Sequence, residues 1–426
     1  MSPDSLAPGV PGGAEAYAPA NPTLWWERPD LRYVGRDLHL GGHNLAVLAR
    51  EAGTPAFFYS GARVLANLRR VKAALESTGL PHGIRYAMKA NRYAPLLTLM
   101  KTSGLCGIDA CSPAELRLAV RCGFRPDEVS YTATSVSPAD LEVLARNPTA
   151  WVNADSLSTI RRLGAVSPGR AIGLRVNPAM GVGYGENQLL RYSGERTSKF
   201  GIYKEHFQEA LDTAAAAGLS VEGIHFHVGC GYLNGQLDAW AAVVKECAWF
   251  LDRLPKARIV NIGGGLGVPH VATDRPLDLA AWAGIIRDTF KDRGVEIWVE
   301  PGDHIVKDAG VLVLQVNTVE RKRQTTFVGV DGGFNLAMEP VFYRLPCEPV
   351  PATLPADPAT AWDPAALQPV TIAGNINEAL DIWAEAVPLP PFAEGDRLVL
   401  LNAGGYASAM GSNHCMRAQA EEHLLL

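Results

Sequence analysis

Short apolar or β-branched runs recur along the chain, at 84–89, 106–109, 129–133, 151–153, 172–177, 224–227, 259–262 and 297–300, with helical patterns between them. The first four begin about 22 residues apart, room for one loop, one helix and one return loop. Such alternation predicts parallel strands joined by crossover helices. Two helix starts are written locally: Ser112-Pro113-Ala114-Glu115 and Ser137-Pro138-Ala139-Asp140 each offer an N-cap serine, a proline at the first helical position and an acid at the third. Eight strand–helix units in about 250 residues is the arithmetic of an α/β fold of the (β/α)8 TIM barrel kind; a doubly wound open sheet is the alternative. Polar residues favour the barrel, because Lys89, Asp109, Asn153, Arg175, His227 and Glu300 all fall at the C-terminal ends of these runs.

After Gly310 the pattern changes to strand-like runs without intervening helices, at 311–316, 326–330, 369–374 and 397–404. They predict an antiparallel β domain, a sandwich or barrel, to which residues 38–40 add a strand. The Pro/Ala-rich stretch 346–369 reads as a surface loop. The expected organisation is a disordered tail (1–23), a segment belonging to the β domain (24–53), the barrel (54–308) and the C-terminal β domain (309–426).

Composition excludes several function classes. With 39 Lys+Arg against 44 Asp+Glu in 426 residues, the net charge of −5 argues against a nucleic-acid backbone or an anionic membrane as partner. No apolar run approaches the roughly 18–20 residues of a membrane span. The first 23 residues lack the basic start and apolar block of a signal peptide. Seven cysteines without CxxC pairs fit reduced thiols, and a cytoplasmic location is expected.

The candidate chemistry sits at the strand ends. Lys89, in Tyr86-Ala87-Met88-Lys89-Ala90-Asn91, lies in an apolar strand where desolvation favours the neutral amine that forms a Schiff base; a lysine reaching solvent is the plain alternative. Gly263-Gly264-Gly265-Leu266-Gly267 follows a strand directly and can converge backbone N–H groups on an anion, although a tight turn would look the same. Glu300, in Val299-Glu300-Pro301-Gly302, needs a cationic partner if buried, which a protonated ring nitrogen or a structural arginine would supply. His227 places a flat ring at the barrel mouth. His225 shares its face of the strand, but no cluster of ligand spacing completes a metal set, so no metal is expected. A Schiff-base lysine, a phosphate cradle, a carboxylate for a pyridinium and a stacking ring are the parts of a pyridoxal 5'-phosphate (PLP) site.

From about Thr54 to Arg417 the sequence resembles the fold-type III PLP-dependent decarboxylases, the family of diaminopimelate, ornithine and arginine decarboxylases. YAMKAN resembles the PLP-lysine strand, DACSPAEL the motif after the second strand, and HFHVGCG, GGGLG and EPGD the histidine, phosphate and pyridine-nitrogen motifs. Gly395-Asp396, Ala403-Gly404-Gly405-Tyr406 and Ser412-Asn413 match the C-terminal domain. The resemblance implies that Lys89 carries PLP and His227 stacks on its ring, while Gly264, Gly265, Gly267 and Cys230 help to bind it. It implies further that Glu300 keeps the ring nitrogen protonated and that Tyr406 reaches the cofactor. Glu378 joins Lys89, His227 and Glu300 in the expected catalytic set. A homodimer is implied, with the partner's Asn377 region completing a site that releases the α-carboxylate of an amino acid as CO2.

The departures concern the substrate. Where diaminopimelate decarboxylases resemble one another in carrying arginine after EPG and before the proline of an RPxxY segment, this chain has Asp303 and Glu339, with Tyr343 retained. Two anions for two cations change the local charge by about four, which repels a second substrate carboxylate and favours a distal ammonium. The expected substrate is therefore a basic diamino acid of ornithine or lysine type, D or L, bound by Asp303, Glu339, Tyr343, Asn377 and Glu378. The alternatives are diaminopimelate itself, with Arg344 or Arg191 restoring the lost charge, or a modified or carrier-bound amino acid of specialised metabolism. A racemase or transaminase-like enzyme and a non-catalytic regulator are the other classes weighed. The family's proton-donating cysteine is replaced by Asn377, so that proton would come from Lys89, a water or Cys230. Residues 179–200, with Glu186, Asn187 and Arg191, read as a lid.

Overall fold

A computed structural model describes residues 24–183, 187, 190, 197–358, 360–417 and 419–426; the tail expected at 1–23 lies outside them. Eight parallel strands form the barrel: His82–Ala87, Gly107–Ala110, Val129–Tyr131, Trp151–Ala154, Ala171–Asn177, Ser220–His225, Ile259–Asn261 and Glu296–Val299. The fourth pairs with the fifth through Asn153 and Gly173, and the eighth returns to the first through Ile297 and His82, which closes the ring. All eight expected strands are present, with ends displaced by no more than two residues except in the sixth, which starts four residues earlier, at Ser220.

Helices follow the strands as the caps require. Ser112 Oγ accepts from the Glu115 N–H at 3.2 Å, and Ser137 with Asp140 forms a reciprocal box at 3.2 and 3.0 Å. Pro113 and Pro138 open their helices, Pro113–Arg121 and Pro138–Arg146. Helix Gly61–Glu76, which precedes the first strand, is held to the segment that follows the eighth strand by Asp308, whose carboxylate accepts from Arg63 Nη2 at 2.5 Å and Asn67 Nδ2 at 2.8 Å.

The second sheet is built on the 13-residue strand Gly310–Lys322, flanked by Thr325–Val330, Arg397–Leu400 and Ala56–Ser60. It is mixed rather than wholly antiparallel. Thr325–Val330 runs parallel to Gln368–Ala373, and Ala56–Ser60 parallel to Glu421–Leu425. The long connections between these partners permit what a tight hairpin would forbid. Residues 38–40 do not join that sheet. Asp37–Leu40 forms a small sheet with Leu31–Val34 and His43–Asn44, touching the β domain through the Leu38 N–H and Ala352 carbonyl at 2.8 Å. The strand contributed by the N-terminal part is Ala56–Ser60, beyond position 54 where the barrel was expected to start. It is buried on both faces, Phe57 and Tyr59 in one core and Phe58 in another. The stretch expected as a surface loop opens with a buried strand, Pro349–Pro351, which pairs along one side only with Arg397–Leu400, an edge where proline is tolerated.

The two sheets meet at the barrel's C-terminal mouth. The Tyr406 N–H donates to the Ala90 carbonyl at 2.8 Å, and Asn91 Nδ2 to the Gly404 carbonyl at 2.9 Å. A Cβ on Gly404 would lie 1.8 Å from the Val306 carbonyl oxygen, so glycine is what allows this approach.

Candidate active site

A cavity of ≈ 160 Å³ lies at that mouth, and Lys89, His227, Gly265, Glu300 and Tyr406 all line it. Lys89 is not inside the strand, as its apolar setting suggested. The strand ends at Ala87, and Lys89 stands on a tight turn closed by the Ala90 N–H to Ala87 carbonyl bond at 3.0 Å.

Glu300 follows the eighth strand and is buried, with Oε2 2.9 Å from His225 Nε2 and Oε1 2.6 Å from Asn261 Nδ2. Burial alone would push this carboxyl up, but His225 and Asn261 outweigh it and hold it well below the ordinary range. His225 is itself lowered, chiefly by burial, so it is the neutral ring whose Nε2–H donates, while its Nδ1 has no hydrogen-bond partner. Glu300 thus carries its negative charge among neutral donors and retains acceptor capacity toward the cavity. His227 is held well below its usual value, first by burial and then by Lys89 and Arg175. Its Nδ1 accepts from the Gly264 N–H at 3.3 Å, as a neutral ring can. The two histidines therefore serve separate partners. Asp109, buried beside Lys89, is raised by burial and by the charge of Glu300.

The glycine turn divides its labour. Gly264 packs on the Glu300 carbonyl, 2.1 Å from where its Cβ would be, and Gly267 gives its N–H to the Tyr232 carbonyl at 3.0 Å. Of the three expected phosphate glycines, only Gly265 borders the cavity, joined there by Leu266 and Gly231. It has φ +95°, and a Cβ would stand 2.4 Å from the Gly229 carbonyl oxygen.

Asp303, Glu339, Tyr343 and Cys230 form another wall of the same cavity. The charge between the two acids is not Arg344, which lines a neighbouring cavity; Arg191 and Glu186 lie outside the described residues. It is Lys307, whose side chain is 2% exposed and whose Nζ is 2.5 Å from Glu339 Oε2 and 3.6 Å from Asp303 Oδ1. Sequence reasoning missed Lys307, although its i,i+4 spacing from Asp303 was a signal for an ion pair. The 179–200 segment does reach the site. Leu190 lines the cavity and accepts from Cys230 Sγ at 3.6 Å, and Asn187 Nδ2 donates to the Tyr343 carbonyl at 2.6 Å.

Asn377 and Glu378 are not brought to this cavity by their own chain. Both are exposed, and Glu378 Oε1 lies 3.3 Å from His414 Nε2.

These features suit PLP: an amine at one end, a turn that no side chain could occupy, and a buried anionic carboxylate with capacity to spare. The comparisons agree. Residues 62–307 match the family model described as pyridoxal-dependent decarboxylase, pyridoxal binding domain. The chain is 33% identical to the diaminopimelate decarboxylase of Methanothermobacter thermautotrophicus, covering 93% of this chain and 92% of that one. It is 32% identical to the Escherichia coli K12 enzyme of the same name, covering 91% and 92%. The crystal structure of AQ1208 from Aquifex aeolicus superposes with a TM-score of 0.82 at 26% identity, covering 93% of this chain and 92% of that one.

Proposed function

Because the chain belongs to the pyridoxal-dependent decarboxylases, and so is a PLP-dependent enzyme that removes a carboxyl group from an amino acid, we propose that its substrate carries a distal ammonium, in the manner of ornithine or lysine, rather than the second carboxylate of diaminopimelate. One observation carries this reading. The cavity that holds Lys89 is walled by two carboxylates, Asp303 and Glu339, with the buried ammonium of Lys307 between them. With both acids ionised, these three side chains sum to −1 among the described residues. Against the two arginines of the diaminopimelate pattern, the difference is about three charges instead of the four counted without Lys307, and its sign is unchanged.

Bound PLP would supply the electron sink for the carbanion left by CO2. In this reading the chain does the rest. Lys89 would hold the cofactor through its amine. Gly265 lets the backbone close on the phosphate. His227, kept neutral, would offer its flat face to the ring, and Glu300, kept anionic, would favour a proton on the ring nitrogen. Leu190, Leu266 and Met410, apolar parts of the cavity lining, would keep water from the reacting carbon. Tyr406 and Cys230, which line the same cavity, would complete the cofactor's contacts.

The assay is CO2 release by the holoenzyme with D- and L-ornithine, D- and L-lysine and meso-diaminopimelate. The expected order puts a monocarboxylic diamino acid first. Faster turnover of diaminopimelate than of every such substrate would reverse the assignment. One observation favours a longer, modified or carrier-bound substrate as second reading: an open cavity of ≈ 580 Å³ adjoins the first at Gly231. Side-chain amides of the same acids, added to the panel, separate the two.

We also propose that a second copy of the chain brings Asn377 and Glu378 to this site, since both stand exposed on the β domain. Co-expressing Lys89→Ala with Glu378→Ala chains would then restore part of the activity that each lacks alone. No recovery in purified mixed dimers would refute the shared site.

A further inference from the structure

The glycine turn is held at both ends by the segment that carries Glu300. The Gly263 carbonyl accepts from the Glu300 N–H at 2.8 Å, and the Gly267 carbonyl lies 2.9 Å from His304 Nδ1. A carbonyl can only accept, so that ring nitrogen bears the hydrogen and donates. We propose that His304 is a positioning residue for the cofactor's phosphate: its Nδ1–H fixes the end of the turn, and so keeps the backbone N–H groups of Gly265 and Leu266 in place to bind the anion. This rests on the reading that the turn holds the phosphate, and extends it to the side chain that sets the turn's shape.

Hydrogen bonding sorts the N–H groups of the turn. Gly263 donates to Asn261 Oδ1 at 3.0 Å, Gly264 to His227 Nδ1 at 3.3 Å and Gly267 to the Tyr232 carbonyl at 3.0 Å. The N–H groups of Gly265 and Leu266 have no acceptor among the described residues, and these two are the members of the turn that line the cavity. Two successive backbone donors at a cavity wall suit an anion.

Their placement depends on what grips either side of Leu266. On one side is Tyr232, whose N–H donates to the Gly265 carbonyl at 3.0 Å and whose carbonyl takes the Gly267 N–H. On the other is His304, in the short helix Asp303–Val306. That helix is anchored in turn, because Asn67 Nδ2 donates to the Ile305 carbonyl at 3.1 Å and Asp308 pairs with Arg63 at 2.5 Å. The ring therefore reaches the turn from a fixed base.

The state of the ring agrees with this role. His304 is buried, and burial lowers its pKa; Arg70 and Arg63 add to the fall, against the Gly267 bond and Asp308, so the ring is neutral. Its Nε2 is buried without a hydrogen-bond partner among the described residues. A ring with one nitrogen bonded and the other stranded gives little net stability, since the bare acceptor offsets the bond. Its contribution lies instead in where it holds the Gly267 carbonyl.

The test compares PLP with pyridoxal, which lacks the phosphate, binding to the full chain after the cofactor has been removed, with absorbance as the readout. The ratio of the two dissociation constants isolates the phosphate. His304→Phe keeps a flat ring without the donor and is expected to lower the preference for PLP by about tenfold, with pyridoxal affinity within about threefold of wild type. His304→Asn, whose amide can place an N–H where Nδ1 stood, should keep the preference within about threefold. A cooperative thermal transition shows that each variant is folded, and if His304→Phe lacks one, His304→Leu takes its place. A preference that the donor-free variant leaves unchanged, an equal loss of affinity for both ligands, or a failure of His304→Asn to restore the preference overturns the proposal. Gly265→Ala, measured alongside, separates the two claims. If it lowers the preference and the donor-free variant does not, the role of His304 alone falls. If it leaves the preference unchanged, the turn does not hold the phosphate, and the proposal falls with that reading.

Discussion

Replacing Glu300 by glutamine keeps the side chain's shape and removes its charge, and the surroundings make that change expensive. Glu300 accepts from His225 Nε2 at 2.9 Å and Asn261 Nδ2 at 2.6 Å, so a glutamine amide would point its NH2 at one of two donors. Neither neighbour can turn round freely. Flipping Asn261 would give up the bond its Oδ1 accepts from the Gly263 N–H at 3.0 Å. Switching the His225 tautomer would move the hydrogen to Nδ1, which has no partner. One buried donor is stranded either way, costing about 1–3 kcal/mol, and two charge-assisted bonds fall to ordinary ones at about 1 kcal/mol each. Relief of the buried charge offsets part of this, leaving a loss of about 2–3 kcal/mol. For a domain of the barrel's size that corresponds to about 5 °C or more in the Tm of the cofactor-free protein. Because the folded-state pKa of Glu300 lies below its unfolded value, this stabilisation is full above the unfolded pKa of about 4.3 and disappears as pH falls through the folded one. The difference in Tm should therefore be constant from pH 6 to 8 and close in acid. With saturating PLP, kcat should also fall by about 10²-fold or more, since the fixed anion facing the ring is gone. An unchanged Tm together with kcat within about threefold of wild type would refute both the hydrogen-bond assignment and the role given to Glu300.

Two further substitutions test separate parts of the site. Gly265→Ala places a Cβ 2.4 Å from the Gly229 oxygen and 3.0 Å from Tyr232 Cε1 at φ +95°, so the turn must shift. The dissociation constant for PLP should rise by about 10²-fold, whereas Gly235→Ala, with nothing within 4 Å of the new methyl, serves as the control. Equal PLP affinity in the two variants would show that the turn does not grip the phosphate. Asn377→Ala should retain turnover within about tenfold, because an amide is too weak an acid to be the proton donor. Complete loss of activity at normal PLP loading would show that Asn377 takes part directly.

The barrel was legible because its signals are local. Strand runs spaced by one helix, and serine caps such as Ser112 and Ser137, act over a few residues and need nothing from the rest of the chain. The same locality exposed Lys89, His227 and Glu300, since each follows a strand end at the face where this fold collects its chemistry. Strand limits were less secure: Lys89 and His227 proved to stand two residues beyond their strands' ends, because a ladder stops when its neighbour stops, and that is not written in either strand alone.

The β domain shows where locality ends. Ala56–Ser60 reads as a buried run in any context, but its partners are Gly310–Val313 and Glu421–Leu425, and pairing over such separations depends on how the whole chain packs. The substrate wall divides in the same way. By itself the sequence determined that two acids replace two arginines, and the spacing of Asp303 and Lys307 held half of an ion pair. Only the tertiary structure decided that Glu339, from a different segment, meets Lys307 while Arg344 faces another cavity. It likewise decided that Asn377 and Glu378 face outward on their own chain. Periodicity and capping are settled by neighbours in sequence; the sign and balance of a buried site are settled by which distant segments the fold brings within a few ångströms.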